Sequence, residues 1–353
     1  MPNVAVQDIP IVWVRVFAFV WGAMWGSFAN VVIYRWPREL SVVRPGSHCT
    51  SCEKPVAAYD NIPVLSWFLL RGKCRNCGAK FSFRYPMVEL IFGVVALALA
   101  DRIARSGVTL TVGLAVAHWA VRFVVAFVLI VATFVDLDEM IVPWWVKYFA
   151  VVPLGAAIVL RPLAPGVSLM DAAVGAGLGY LGLRLLFIDG YKLLTGRPGM
   201  GLGDAEILLL VGALLGVRGV LFALGAGSVQ GVIATGLVKV MGGRVGAGGR
   251  SGDGNGDGDG NGDGDGDGDG EEDGHGHGSG NGDEEDGKGK GNEDGEEGGN
   301  GNGDEEEEGE GDGEEARGLK TKVAFVPFLA LGALEYLLGA DRIVETYLRA
   351  MAG

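Results

Sequence analysis

Residues 123–143 read FVVAFVLIVATFVDLDEMIVP, and this stretch decides the fold class. A run of mostly apolar, uncharged residues ends at Asp136, and the apolar character extends back to about residue 109. A membrane-crossing helix needs about 20 mostly apolar residues, so the stretch predicts a helix that spans a lipid bilayer. Because a carboxylate is costly at membrane depth, Asp136 at the end of this helix is a candidate functional residue.

Other apolar stretches of the chain have the same character. They predict an all-α polytopic membrane protein with about eight transmembrane helices. The first stretch has no basic segment ahead of it and no cleavage pattern after it, which favours a retained span over a signal peptide. The predicted spans are 12–34, 86–100, 109–135, 144–160, 170–190, 205–217, 219–240 and 322–338.

The net charge of −14 is divided unevenly along the chain. Residues 251–317 hold 27 of the 43 Asp and Glu residues, whereas the rest of the chain has 26 Lys and Arg against 16 Asp and Glu. Nine of those cations lie in residues 35–84, the loop between the first two spans. The positive-inside rule places this loop in the cytoplasm and the N-terminus outside. Alternating spans then make 136–143, 191–204 and 241–321 cytoplasmic as well.

Residues 242–320 consist almost entirely of Gly, Asp, Glu and Asn. With so few apolar side chains to bury, this insert is predicted to be disordered. Its Gly-Asp alternation is similar to calcium-binding loops. However, an EF-hand loop that starts at Asp263 would have Gly274 where the ligand Glu is required. We predict a solvated linker, with weak divalent-cation binding as the alternative.

The four cysteines form two pairs, Cys49-x-x-Cys52 and Cys74-x-x-Cys77, with 21 residues between them. Two such pairs can direct four thiolates at one zinc ion with tetrahedral geometry. Two disulfides are the alternative, but disulfides rarely persist in the reducing cytoplasm. Since a shell of four thiolates leaves no open position for water, we predict a structural zinc ion.

Hydrolysis based on histidine or serine fits the sequence poorly. The histidines are His48, His118, His275 and His277, and no H-E-x-x-H motif is present. Ser27 has no G-x-S-x-G motif around it, so it is better interpreted as a small residue at a helix–helix contact than as a nucleophile.

The carboxylates are more informative. Asp204 closes the sequence GMGLGD of residues 199–204, where a span begins, and the predicted topology puts it at the same membrane edge as Asp136. Two neighbouring aspartates can share one proton, so that one acts as a base and the other as an acid. Each could instead be a solvated helix end or, for Asp204, a helix N-cap. Asp138 and Glu139 are rivals of Asp136, and spacing alone does not choose among the three.

Several motifs, taken in order, resemble the bacterial type IV prepilin peptidases, also called prepilin leader peptidases or N-methyltransferases. The resemblance covers almost all of the chain except the acidic insert. The GxGD motif alone would be weak, whereas the ordered set is specific. The matching segments are 26–35 (GSFANVVIYR), 59–67 (YDNIPVLSW), 71–77 (RGKCRNC), 84–90 (RYPMVEL), the two aspartate motifs, and 326–332 (VPFLALG).

The resemblance implies an intramembrane aspartyl protease in the bacterial inner membrane. Its first catalytic aspartate stands seven residues before a proline, which is Asp136 before Pro143, and its second closes the GxGD motif, which is Asp204. The implied substrates are prepilins or pseudopilins, whose basic leader is cut after a Gly. Many members then methylate the new N-terminal amine with S-adenosylmethionine, for which no binding residues are identified here. The implied partners are these substrates and the lipid bilayer, with no nucleic acid.

The predicted organisation follows from these motifs. Residues 1–34 form the first span, 35–85 the cytoplasmic four-cysteine loop, 86–241 the transmembrane catalytic bundle, 242–320 the acidic insert, and 321–353 the last span and tail. Glu206 departs from the pattern of the family it resembles, because many members have Lys two residues after the second aspartate. Ala29, where Leu is common, and Val142 before Pro143 are milder changes. A non-catalytic membrane scaffold that presents a zinc ribbon is the competing hypothesis.

Overall fold

A computed structural model of the chain describes residues 5–160, 167–196, 199–241 and 324–352. The acidic insert predicted over residues 242–320 lies outside the described residues. Within the described residues the regular structure is helical, and only isolated β-bridges accompany the helices. The predicted all-α class is confirmed at this level.

Ten α-helices can be followed along the described chain. The segment after α6 continues as π-helix over Leu178–Gly182 and Arg184–Gly190, and α9 continues as π-helix over Tyr336–Ala340. The helices are α1 Ile11–Arg35, α2 Leu65–Leu69, α3 Arg84–Ala104, α4 Val112–Glu139, α5 Val151–Val159, α6 Leu169–Gly177, α7 Tyr191–Thr195, α8 Leu202–Val240, α9 Val326–Glu335 and α10 Asp341–Ala352.

Four helical segments are long and apolar enough to cross a membrane: Ile11–Arg38, Val112–Glu139, Leu169–Thr195 and Leu202–Val240. A shorter apolar helical segment covers Val146–Val159. These segments support a membrane protein, and the eight crossings expected from the sequence stay a prediction. Every predicted span has a helical counterpart among the described residues. In the last one the described helix begins at Val326, and residues 322 and 323 lie outside the described residues.

Glycines allow the principal helices to approach closely. A Cβ atom on Gly22 or Gly26 of α1 would overlap α3, and one on Gly175 of α6 would overlap the α8 backbone at Gly216. Small residues at such contacts let apolar helices pack tightly where the hydrophobic effect gives little drive for association. The buried core then lies around α4 and α8, which carry the two candidate aspartates.

Helix α8 is interrupted at Gly216, whose φ of 69° and ψ of −168° are not helical. A side chain would be strained in this left-handed region, which glycine adopts readily. The Asp171 carboxylate of α6 accepts a hydrogen bond from the Val217 amide at 3.4 Å, so it satisfies a donor that the break exposes. The two predicted spans 205–217 and 219–240 therefore both lie in α8, which is interrupted at Gly216.

Candidate active site and four-cysteine loop

Asp136 lies in the last turn of α4, which ends at Glu139. Met140 then adopts a left-handed conformation with φ of 54°, so the chain leaves the helix just after the carboxylate. Only 6% of Asp136 is exposed, and its Oδ2 atom has no hydrogen-bond partner among the described residues. Because leaving a buried acceptor unsatisfied is costly, such an atom is typical of a functional site.

Asp204 lies in the first turn of α8, which follows the N-cap residue Gly201. Its Oδ2 atom accepts a hydrogen bond from the Gly201 amide at 3.2 Å, and the residue is 7% exposed. A Cβ atom on Gly203 would overlap the side chain of Val142, the residue before Pro143. The glycine therefore lets the segment that follows Asp136 pack directly against the segment that carries Asp204.

The two aspartates come from separate helices, and both are buried within range of each other's charge. The charge of Asp204 acts on the Asp136 carboxyl group, and the backbone of Val326 at the start of α9 lies beside it. Two like charges that are both buried disfavour double ionisation, so such a pair readily holds a single proton between its members. This is the chemical requirement for one group to act as a base and the other as an acid.

Asp138 and Glu139, the rivals of Asp136, are both engaged in ion pairs. Arg84 of α3 donates two hydrogen bonds to Asp138, at 2.9 Å and 2.7 Å, and Arg38 lies 3.3 Å from Glu139. The Asp138 and Glu139 side chains are 31% and 38% exposed, unlike the buried aspartate pair. The geometry therefore favours Asp136, which the resemblance had selected on other grounds.

Lys147 is a residue that the sequence analysis missed. Its Nζ atom lies 2.9 Å from Oε1 of Glu206, two residues after Asp204. A cation from a different part of the chain thus neutralises the carboxylate that follows the GxGD motif. A signal was present in the sequence, since Lys147 is the single charged residue between 140 and 160, and a lone charge in an apolar span is a functional candidate.

This pair yields a prediction. Lys147→Met is expected to lower both the melting temperature and the cleavage rate, because it leaves the Glu206 carboxylate buried without its cation. Breaking a fully buried pair costs about 3–5 kcal/mol, and the loss here should be smaller because Lys147 is partly exposed. The double variant Lys147→Met/Glu206→Gln should recover much of the loss. The melting temperatures of the native protein, Lys147→Met, Glu206→Gln and the double variant, all in one detergent, measure the coupling. Losses that simply add would contradict the pairing.

The four-cysteine loop contains two similar turns. In the first, the Cys49 amide donates to the Lys54 carbonyl at 3.0 Å, and in the second the Cys74 amide donates to the Ala79 carbonyl at 2.8 Å. The residue after the second cysteine of each pair is left-handed, with φ of 57° at Glu53 and 74° at Gly78. The same local fold thus presents both cysteine pairs.

The two turns bring the four thiols together, and none forms a disulfide. Their sulfur atoms all lie within 4.8 Å of one another, and Sγ of Cys49 is 3.7 Å from Sγ of Cys77. A zinc ion with four bonds of about 2.3 Å in tetrahedral geometry requires about 3.8 Å between sulfurs. Hydrogen bonds from the backbone at Cys52 and Ser51 lower the pKa of Cys49 to about 6. At Cys77 a hydrogen bond from Ala79 is outweighed by burial and by the neighbouring thiols, which raise the pKa to about 11, so without metal the thiolate forms first at Cys49. The donor set therefore fits zinc.

Two buried aspartates at the ends of apolar helices are the arrangement that a membrane-embedded aspartyl protease would require. Residues 20–103 match the bacterial peptidase A24 N-terminal domain, and residues 123–236 match the type IV leader peptidase family. The chain belongs to the family of the prepilin leader peptidases/N-methyltransferases. The sequence-based prediction of this family and of a prepilin-processing enzyme is confirmed at that level.

Three relatives illustrate the similarity, each a prepilin leader peptidase/N-methyltransferase. The protein from Myxococcus xanthus is 37% identical over 236 residues, which span 65% of this chain and 65% of the relative. The protein from Aeromonas hydrophila is 36% identical, over 56% of this chain and 72% of the relative. The protein from Neisseria gonorrhoeae is 35% identical, over 64% of this chain and 83% of the relative. No solved structure matches the chain significantly.

Proposed function

We propose that this chain is a membrane endopeptidase that removes the basic leader from prepilins or pseudopilins after a Gly. The observation that carries the proposal is the buried pair of Asp136 and Asp204 at the ends of two helices. The names of the relatives support the substrate class. Leader removal would take place at the membrane edge where both carboxylates lie.

The pair supplies the acid and the base of peptide hydrolysis. The ionised carboxylate takes a proton from water as the water oxygen bonds to the scissile carbonyl carbon. The protonated carboxyl group donates to the substrate, and the C–N bond breaks as the amine leaves with a proton. Asp136 Oδ2, which no described residue engages, is the atom best placed for the water.

For the metal site we propose one structural zinc ion, held by Cys49, Cys52, Cys74 and Cys77. A closed shell of four thiolates offers no position to an attacking water, so the metal would stabilise the loop and take no part in hydrolysis. The similar turns around the two cysteine pairs support this role.

For the topology we propose eight crossings of the bacterial inner membrane, with the cysteine loop and both aspartates on the cytoplasmic side. A straight helix of the length of α8, 39 residues, would measure about 58 Å, roughly twice the hydrocarbon core. The break at Gly216 is consistent with two crossings in this segment. The excess of Lys and Arg in residues 35–84 supports the orientation.

Co-expression with a prepilin, followed by mass measurement of its N-terminus, tests the proposal. Loss of the leader at a Gly, dependent on this protein, is the expected result. The competing hypothesis is a non-catalytic scaffold that presents the four-cysteine loop to a pilus or secretion complex. An uncleaved prepilin at normal enzyme levels in the membrane would favour the scaffold. A methyl group on the new amine would show that N-methylation with S-adenosylmethionine accompanies cleavage.

The acidic insert, residues 251–317, is predicted to be dispensable for cleavage. Its composition cannot bury a core, and adjacent helices about 8–10 Å apart can be joined by a short loop. Replacement of the insert by a short Gly-Ser linker should leave the rate unchanged at physiological salt. A control at low salt detects attraction of basic leaders, since exposed charges are screened beyond about 8 Å at physiological salt. A loss of about tenfold or more at physiological salt, with normal membrane levels, would contradict dispensability.

A further inference from the structure

A cavity of about 770 Å³ lies between the four-cysteine loop and the adjoining ends of α1 and α3. Small-molecule sites are typically about 300–1,000 Å³, so this cavity is large enough for a cofactor. Neither Asp136 nor Asp204 lines it, and its walls fall within residues 20–103, the match to the A24 N-terminal domain. The cavity is thus separate from the aspartate pair and has no role in the hydrolysis derived above.

Two carboxylates line the cavity, and they differ in their partners. Asp60 accepts two hydrogen bonds from Arg75, at 2.8 Å and 2.6 Å, so its charge is neutralised. Glu89 of α3 is 9% exposed and accepts a hydrogen bond from a neutral donor, the Val64 amide, at 2.6 Å. It forms no ion pair with any residue that the structure describes. A buried carboxylate without a cation favours a positively charged ligand.

Other walls of the cavity carry complementary groups. Arg44, Lys54 and Lys73 line it and make no ion pair with the described part of the chain, which leaves them available to an anion. Tyr59 and Trp67 add aromatic surface. A ligand that combines a cationic centre, a carboxylate and a flat ring system matches these three kinds of wall.

We propose that this cavity binds S-adenosylmethionine with its cationic centre beside Glu89, and that Glu89 receives the proton of the amine to be methylated. The inference rests on the proposed function, because the N-methyltransferase activity comes from the names of the relatives. When bound, the cofactor supplies a methyl group: the nitrogen lone pair forms the new N–C bond as the C–S bond breaks and its electrons stay on sulfur. The ammonium must lose one proton, and the Glu89 carboxylate is the buried base within the cavity.

Ion pairs connect the cavity to the hydrolytic site. Arg84, five residues before Glu89 on α3, is bound to Asp138, two residues after Asp136 on α4. Arg38, just beyond α1, is paired with Glu139 in the same way. The helix ends that form the cavity are therefore fastened to the end of the helix that carries Asp136.

The first test fills the cavity. Ala57 lines it, whereas the adjacent Ala58 is exposed and does not, so Ala57→Trp and Ala58→Trp form a matched pair. Isothermal titration of S-adenosylmethionine into the purified full-length protein should give binding in the native protein and in Ala58→Trp. Binding should be lost in Ala57→Trp, while leader cleavage continues in all three. Equal binding by the two variants would overturn the proposal.

The second test removes the charge of Glu89. Glu89→Gln should weaken binding by at least about tenfold, since a charge-assisted contact is lost, and should abolish methylation of the cleaved substrate. Cleavage should stay near the native rate. Glu345→Gln, which changes a carboxylate of α10 outside the cavity, should bind the cofactor normally. If Glu89→Gln binds and methylates like the native protein, Glu89 has no such role.

A third measurement uses only the native protein, so it does not depend on whether a variant folds. Ultraviolet cross-linking of labelled S-adenosylmethionine to the native protein, followed by peptide mapping, should label residues 54–76 or 27–35. Label elsewhere, or no binding by a native protein that cleaves prepilin, would overturn the cavity assignment and leave the proposed function intact. A native protein that binds the cofactor but leaves prepilin uncleaved would contradict the proposed peptidase function instead.

Discussion

Asp136→Asn and Asp204→Asn are each expected to abolish leader cleavage while the protein remains in the membrane. The pair shares the acid and base roles, and an amide can fill neither, so losing one member stops the reaction. Removal of a general acid or base costs about 10²–10⁴-fold in rate, and a shared proton should put the loss at or above this range. Initial rates on a purified prepilin, read by mass of the N-terminus, measure the effect.

Asp138→Asn is the matched control for this prediction. It makes the same chemical change two residues along α4, in a side chain that is partly exposed and paired with Arg84. Exposed ion pairs contribute about 0–1 kcal/mol, so most of the activity should remain. An inactive Asp138→Asn together with an active Asp136→Asn would show that the assignment of the pair is wrong.

Serine at any one of Cys49, Cys52, Cys74 and Cys77 is expected to release zinc and unfold the loop. Three thiolates hold the metal far less well than four, and in such sites the binding free energy is also folding free energy. The native protein should contain one zinc ion per chain. Elemental analysis and protease sensitivity of the loop measure the two effects.

Ser51→Ala is the control, because Ser51 lies between two ligands but offers no thiol. It should keep its zinc and its resistance to protease. Purified native protein without zinc, or cysteines found as disulfides in the cytoplasm, would contradict the metal site. Loss of zinc should also disturb the cavity proposed above, since Cys74 contributes to its wall.

Local patterns in the sequence predicted much of this arrangement. Apolar runs indicated the helices because hydropathy is a property of consecutive residues, and the spacing of Cys49, Cys52, Cys74 and Cys77 indicated a four-thiolate cluster. The structure brings these thiols together, while the zinc ion stays a prediction. Asp136 and Asp204 could be named as candidates, and their catalytic roles also stay predictions.

Pairings between distant residues were out of reach of such patterns. Spacing along the chain does not distinguish Asp136 from Asp138 and Glu139 as the candidate carboxylate. Only packing shows that Asp136 is buried while the other two pair with Arg84 and Arg38. In the sequence, Glu206 stands where a Lys is common in the family. The structure shows that Lys147, 59 residues away, pairs with it.

The sequence by itself determined that the chain forms apolar helices and carries two aspartates and four paired cysteines. These features depend on short-range composition and spacing, which act along the chain. Tertiary structure alone decided that the two carboxylates lie within range of each other's charge and that α8 breaks at Gly216. It also decided that Glu89 lines a cavity and has no ion-pair partner among the described residues. Each of these depends on how helices approach one another, and glycines at the contacts set that distance through packing in three dimensions.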